Sequence, residues 1–177
     1  ILDRFRLYPI GLSADIEKAF LQLTIAPEHR EFLRFFYPLE DNREIVYRHC
    51  RVVFGVCSSP FLLAASLNHL LEHSSLECTE IISKLKHSFY VDNCVSGVFT
   101  EQEVGNFISS AKAVLRKGCF NLSNCESNVN GPGVSKCTGD TDLLGIIWNL
   151  DTLRCSEINE IPQNKGNTAN RTILSFV

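Results

Sequence analysis

The sequence contains no methionine among its 177 residues. A translated reading frame begins with one, so the expectation is an internal piece of a longer product. There is no C-x-x-C pair either. The eight cysteines, Cys50, Cys57, Cys78, Cys94, Cys119, Cys125, Cys137 and Cys155, are scattered, which gives a structural zinc site little support. No apolar run approaches the roughly 20 residues needed to span a bilayer, so no membrane partner is expected. The opening ILDRFRLYPIG lacks the basic-then-apolar build of a secretion signal. The expectation is therefore an intracellular, cytoplasmic protein, not secreted, whose cysteines are buried free thiols. A basic excess is also missing. Seventeen Lys and Arg stand against 20 Asp and Glu, for a net charge of −3. A free-standing nucleic-acid binder usually carries a positive balance. An acidic active site cut away from basic neighbours would give the same figure, so charge does not decide.

What is present is an ordinary globular composition, 45% hydrophobic and 21% charged, on a chain long enough to bury a core. Leu12, Ala14 and Ile16 alternate with Ser13, Asp15 and Glu17, the period of a strand. Its second face carries two carboxylates. Residues 32–37 and 45–54 read as two further strands joined by a turn at 39–43. Ser58 or Ser59 caps a helix with Pro60 in its first turn, and Leu63, Leu67, Leu70 and Leu71 give it an apolar stripe. Residues 74–83 read as polar and loop-like at first. Residues 84–90 and 94–99 read as short strands around the turn-forming pair Asp92-Asn93. Thr100 and Glu103 form a capping box for a helix over 100–117, with Phe99 and Val104 as a staple and Gly118 as the stop. Residues 119–122 read as a strand, 123–139 as a loop and 143–148 as a last strand. Residues after Asp151 look irregular until about Thr172.

With the inserted hairpin set aside, the order is β-α-β-β-α-β, an α+β ferredoxin-like arrangement. In it the first two strands of the motif are parallel, with the third antiparallel between them. The end of the first strand then lies beside the turn joining the other two. Asp15 and the Asp92-Asn93 turn are brought together although far apart in sequence. Paired carboxylates at a sheet edge suit Mg²⁺, which takes oxygen ligands and shares them with substrate phosphates. Two such ions roughly 3.5–4 Å apart can clamp an in-line phosphoryl displacement. The bland alternative is a turn-capping Asp15 and a plain β-turn at Asp92-Asn93. His29, His49, His69, His73 and His87 do not cluster. Arg30, Arg34, Arg48 and Arg51 fit a template path or a solvated strand face equally well.

The residues resemble a known family. Asp15-Ile16-Glu17-Lys18-Ala19-Phe20 is similar to the first palm motif of reverse transcriptases. Phe54-Gly55-Val56-Cys57-Ser58-Ser59-Pro60-Phe61 is similar to the second, and Tyr90-Val91-Asp92-Asn93 to the Tyr-x-Asp-Asp motif. Phe120-Asn121-Leu122 and Leu144-Gly145-Ile146-Ile147-Trp148 match the later strand motifs. Details at 14–23, 51–63, Glu126-Ser127-Asn128 and 171–177 resemble Bel/Pao-type LTR retrotransposon polyproteins.

The resemblance implies a right-hand polymerase fragment over 1–177. It would hold the palm with part of the fingers, and 151–177 would lead toward the thumb and connection. It implies RNA-directed DNA polymerase activity with two Mg²⁺ ions, or Mn²⁺ in their place. The partners implied are deoxynucleotides, a primer on an RNA or DNA template, and the rest of the polyprotein with its fingers, thumb, RNase H and integrase. Asp15, Asp92 and Asn93 would form the catalytic set, with the Ile16 carbonyl as a further metal ligand. Lys18, Ala19, Phe20 and Gly55 would meet the nucleotide, Phe20 excluding a 2′-hydroxyl. Tyr90, Ser59, Pro60, Leu144 and Gly145 would belong to the primer and template side. Three departures stand out. Asn93 replaces the family's second Asp. Phe54 stands where retroviral enzymes have Gln. Ser123-Asn124-Cys125 offers no Lys where related polymerases carry a proton donor, and Lys136 has no assigned part. A catalytically decayed palm remnant is the alternative reading, and a generic βαββαβ binding domain is a third.

Overall fold

The computed structural model describes residues 1–40, 43–74 and 79–157. The tip of the first expected hairpin, Cys78 and the segment 158–177 lie outside the described residues. A short helix α1 (Leu2–Phe5) leads into β1 (Ile10–Ile16) and a single turn of helix, α2 (Ala19–Gln22). A 3-10 segment, Pro27–Leu33, precedes the hairpin of β2 (Arg34–Pro38) and β3 (Glu44–Arg48). Helices α3 (Ser59–Glu72) and α4 (Thr79–Leu85) follow, then β4 (Phe89–Tyr90), β5 (Asn93–Val98), α5 (Glu101–Arg116) and β6 (Leu122–Ser127). A last meander holds β7 (Asp140–Leu143), β8 (Ile146–Asn149) and β9 (Cys155–Glu157).

The main sheet has the order β4-β5-β1-β6, and every neighbouring pair is antiparallel. It follows that β4 runs parallel to β1 with β5 between them, the arrangement expected from the sequence. Alternation along β1 gives the sheet two different faces. Leu12, Ala14 and Ile16 join Leu63 and Leu67 of α3 and Val104, Ile108, Ala111 and Leu115 of α5 in the main core. The other face carries Gly11, Ser13 and Asp15. A Cβ at Gly11 would sit 2.5 Å from the Phe5 ring and 2.8 Å from Trp148, so only glycine allows those rings to close on the strand. Phe5 and Trp148 meet edge to face at 4.9 Å and, with Val95, Leu143 and Leu150, form a second core. Beyond the ladder, Ser127 Oγ donates to the Gly11 carbonyl at 2.8 Å and Asn128 Oδ1 accepts from the Gly11 N–H at 2.7 Å. Side chains thus satisfy the backbone where strand pairing ends.

Several elements differ from the sequence reading. The stretch expected as loop and strand near 79–88 is mostly the helix α4, and the strand is confined to Phe89–Tyr90. Ile81, Ile82 and Leu85 supply the apolar side, but seven residues are too few for periodicity to declare itself. The strand expected at 119–122 begins at Leu122 and continues to Ser127. Its alternation is broken by a β-bulge: Ser13 faces Glu126 but Asp15 faces Ser123, with Asn124 at φ +48°. Leu122 and Cys125, three apart, therefore both reach the main core. The single strand expected at 143–148 is a hairpin whose turn residues, Leu144 and Gly145, both have positive φ (52° and 80°), the signs of a type I′ turn. Cys155–Glu157, expected as irregular, pairs with β8. The helix α5 begins as expected, but its left-handed stop is Cys119 (φ +62°) and not Gly118, whose missing Cβ instead lets Leu70 approach. At its cap Glu103 accepts from the Phe99 N–H at 3.2 Å and from the Thr100 hydroxyl at 2.9 Å, so that hydroxyl serves the carboxylate, not the backbone. Among the described residues no helix is long and apolar enough to cross a membrane.

Candidate functional site

The end of β1 is held by three contacts. Asp15 lies opposite Asn93 in the β1–β5 register. The Ile16 N–H donates to the Asp92 carbonyl at 2.9 Å. The Glu17 N–H donates to the Asn121 carbonyl at 2.9 Å, and Asn121 Nδ2 returns a bond to Glu17 Oε2 at 2.8 Å. Asp92 sits in a two-residue turn between β4 and β5, closed by the Tyr90–Asn93 pair. Val91, the first residue of that turn, has φ +56°, a costly conformation for a β-branched side chain. A rigid sheet register and a strained turn together fix both carboxylates at one sheet end.

Asp15 is half-buried, and its proton affinity is raised, first by burial, then by the charges of Asp92 and Glu126. Asn93 Nδ2 points back to Asp92 Oδ1 at 3.5 Å, at the limit of a hydrogen bond. Among the described residues no group of three His, Cys, Asp or Glu side chains is arranged to hold a metal. The side-chain oxygens at the register and turn are the Asp15 and Asp92 carboxylates and the Asn93 amide, with the Glu126 carboxylate in the same cleft as Asp15. Mg²⁺ is commonly held by one or two carboxylates plus substrate phosphates, so this donor set fits it. The crowding of like charge at Asp15 is what a divalent cation would relieve.

Two further groups at the site, Glu126 and Lys136, were given no site role from the sequence. A polar cleft of about 410 Å³ is lined by Ser13, Asp15, Asn93, Glu126, Lys136 and Asp142, among others. The β6 bulge turns Glu126 toward it, where Glu126 accepts a hydrogen bond from the Thr141 hydroxyl. Lys136 is bridged in register to Glu126, its carbonyl accepts from the Ser127 N–H at 3.1 Å, and its amine donates to the Asp140 carbonyl. No periodicity announces either residue, because both reach the cleft through a bulge and a bridge inside an apparent loop.

The remaining expected residues fall into separate groups. Lys18, at φ +50°, starts α2, and Ala19 and Phe20 are buried behind it. Gly55 has φ +85° and no atom within 4 Å of where a Cβ would stand. Within the chain, that glycine is required by its backbone angle. Ser59 is buried, and its hydroxyl donates to the Val53 carbonyl at 2.7 Å, while Pro60 is exposed in the first turn of α3. Tyr90 is exposed on the edge strand. Leu144 and Gly145 lie at the β7–β8 turn, in a different sheet from Asp15. The four arginines weighed for a template path each have a partner within the chain, three of them at the exposed surface. Arg34 and Arg48 share Glu31, Arg51 bonds the Gln22 carbonyl and Thr24, and Arg30 bonds the Ile25 carbonyl. His69 and His73 lie with ring centroids 4.1 Å apart and planes tilted by 38°, and have no third ligand among the described residues.

Comparison with known proteins places these features. Residues 2–125 match the family profile described as reverse transcriptase (RNA-dependent DNA polymerase). One solved structure, the foamy viral protease-reverse transcriptase in complex with an RNA/DNA hybrid, has TM-score 0.56 and 16% identity over 81% of this chain and 16% of that one. Another, the foamy viral protease-reverse transcriptase dRH in complex with double-stranded DNA, has TM-score 0.53 and 16% identity over 80% of this chain and 21% of that one. This chain thus spans about a fifth or less of either protein. No curated protein matches it by sequence.

Proposed function

The chain belongs to the reverse transcriptase (RNA-dependent DNA polymerase) family, and from that premise we propose that it is the palm, with part of the fingers, of an RNA-directed DNA polymerase. The observation that carries the reading is the register of Asp15 against Asn93 with Asp92 in the adjoining turn. Asp15 and Asp92 are the metal-holding carboxylates, with Asn93 and the Ile16 carbonyl as neutral oxygen donors. Bound there, Mg²⁺ or Mn²⁺ would supply charge neutralisation and activation for nucleotidyl transfer. The protein's own part is positioning. The left-handed Lys18 opens the α2 turn, where the backbone N–H groups of Lys18 and Ala19 face the triphosphate, and Phe20 limits the sugar pocket. Gly55 leaves open space for the nucleotide. Tyr90, Ser59, Pro60, Leu144 and Gly145 shape the primer and template side, Ser59 from beneath through its bond to Val53. The two foamy viral neighbours were solved with an RNA/DNA hybrid and with duplex DNA, which supports a primer–template partner. The Bel/Pao assignment rests on the motif residues at 14–23, 51–63, 126–128 and 171–177. The domain limits, with 151–177 leading toward a thumb and connection, rest on the same resemblance.

Asn93 favours a second reading, a palm that has lost activity by decay, because one negative charge of the cluster is missing. Primer extension by a longer product containing this chain separates the two. The polymerase reading expects Mg²⁺-dependent extension that falls to background in Asp92→Ala. Extension that is unchanged by that substitution would sink the site assignment. No extension from the parent, together with a gain in Asn93→Asp, would establish decay.

A further inference from the structure

Lys84, on α4, is half-buried and stands over two aromatic rings. Its Nζ lies 4.7 Å from the Tyr8 ring centroid and 5.5 Å from that of Phe107. Tyr8 is held in turn by Gly97, where a Cβ would stand 2.5 Å from it, and by Phe99, whose ring centroid is 4.9 Å away. Among the described residues no oxygen accepts a hydrogen bond from the Lys84 ammonium and no carboxylate pairs with it. Glu103 of α5 is already committed to the Phe99 N–H and the Thr100 hydroxyl. The ammonium therefore lines a cavity of about 350 Å³ between α4 and α5 with its N–H donors unused. Glu80 of α4, Glu103 and the Tyr8 phenol are the titratable groups around it. Attraction to the rings offsets part of the lost hydration. Burial still holds this amine below the usual lysine range, against the opposing charges of Glu103 and Glu80.

We propose that Lys84 is a covalent modification site, an amine set in the α4–α5 cavity to take an acyl group from a small acyl thioester. The cavity shares no lining residue with the cleft at Asp15, and the site stands apart from the polymerase reading. The ammonium first gives up a proton to water, which an unpaired, half-buried cation does more readily than a solvated one. The nitrogen lone pair then attacks the thioester carbonyl carbon. A C–N bond forms, the C–S bond breaks, the thiolate leaves, and the nitrogen releases its second proton to water. The product suits the cavity better than the ammonium does. An amide carries no charge to desolvate. Ile81 and Val98 offer apolar cover for the acyl chain, and Asn106 and Ser110 offer polar groups to its carbonyl.

Lys86, two residues on and exposed, is the internal reference. A longer product containing this chain is treated near neutral pH with S-acetyl-N-acetylcysteamine, a small acetyl thioester, and acetylation at each lysine is followed by mass spectrometry. Lys84 is expected to react roughly 3-fold or more faster than Lys86. The lead should vanish in guanidinium chloride, where the cavity is gone. It should also shrink as the pH rises toward about 11, where any lysine is largely neutral. Ser110→Leu, which fills the cavity beside the amine, should slow Lys84 severalfold and leave Lys86 unchanged. Glu80→Gln removes a charge that favours the ammonium and should speed Lys84. Glu80 is exposed in the first turn of α4, so this variant tests the site even if Ser110→Leu fails to fold. Lys84 reacting no faster than Lys86 in the native protein, or keeping its lead in denaturant, would overturn the proposal. So would a folded Ser110→Leu that leaves Lys84 as fast, or a Glu80→Gln that fails to speed it.

Discussion

Asp15 is held in surroundings that oppose its charge. Burial, Asp92 and Glu126 all raise its proton affinity above the usual carboxylate range. In the unfolded chain that penalty is absent. Ionised Asp15 therefore costs the folded state stability. The cost is nil below the ordinary carboxylate pKa, where Asp15 is protonated in both states, and is complete once the pH has risen through the raised folded value. Asp15→Asn should accordingly unfold a few degrees higher than the parent at pH 7, with the gap closing toward pH 3. A lower Tm for the variant at pH 7 would contradict this. The cysteines give a second check. The Cys94 thiol is buried and pushed up to about 12, and Cys125 is buried and raised as well, whereas Cys50, Cys57 and Cys119 are exposed. Alkylation of the native protein should label the exposed three and spare Cys94 and Cys125 until unfolding. Asp15 and Asp92 were legible in the sequence because each belongs to a motif and the topology joins them. Glu126 and Lys136 were not, since their approach to the cleft depends on one extra residue in β6.

At the scale of elements, the long and regular pieces were legible and the short ones were not. Helix α5 carries its cap and stripe in the sequence, though its left-handed stop falls at Cys119, one residue past the glycine. Strand β1 carries its alternation. Helix α4 is only seven residues, β6 hides its period in a bulge, and the β7–β8 turn uses Leu-Gly where Asn-Gly is the usual signal. The contact of β1 with the second core gives a sharp test. Gly11→Ala would drive a methyl into Phe5 and Trp148, and should cost about 1–3 kcal/mol by denaturant unfolding. A cost near zero would mean that the α1 and β8 rings do not close on the strand. The β2–β3 hairpin offers the opposite case. All ten of its residues are exposed and it pairs with no third strand among the described residues. Two strands alone are marginal in water. Its amides should exchange with solvent far faster than those of Leu12, Ser13 and Ala14 in β1. Equal protection in a hydrogen-exchange experiment would show that the hairpin is supported in this chain.

At the scale of the molecule, one sheet separates two cores of different kinds. The helical side is broad and apolar. The other is small and aromatic, and it fills only the Gly11 end of the face, leaving the Asp15 end open to the cleft. That division is why a strand can be buried for most of its length and still end in a usable carboxylate. The parallel relation of β4 to β1, read from the β-α-β-β-α-β order, was the decisive legible feature. The second sheet could not be read that way, because its strands are short and its turn is unmarked. The polymerase reading depends on Asp15 and Asp92 jointly holding a divalent cation. Mn²⁺ should broaden backbone amides around residues 15–17 and 91–93, and the broadening should vanish in Asp15→Asn and in Asp92→Asn. Broadening centred instead on Asp140 and Asp142, or left unchanged by both substitutions, would contradict it.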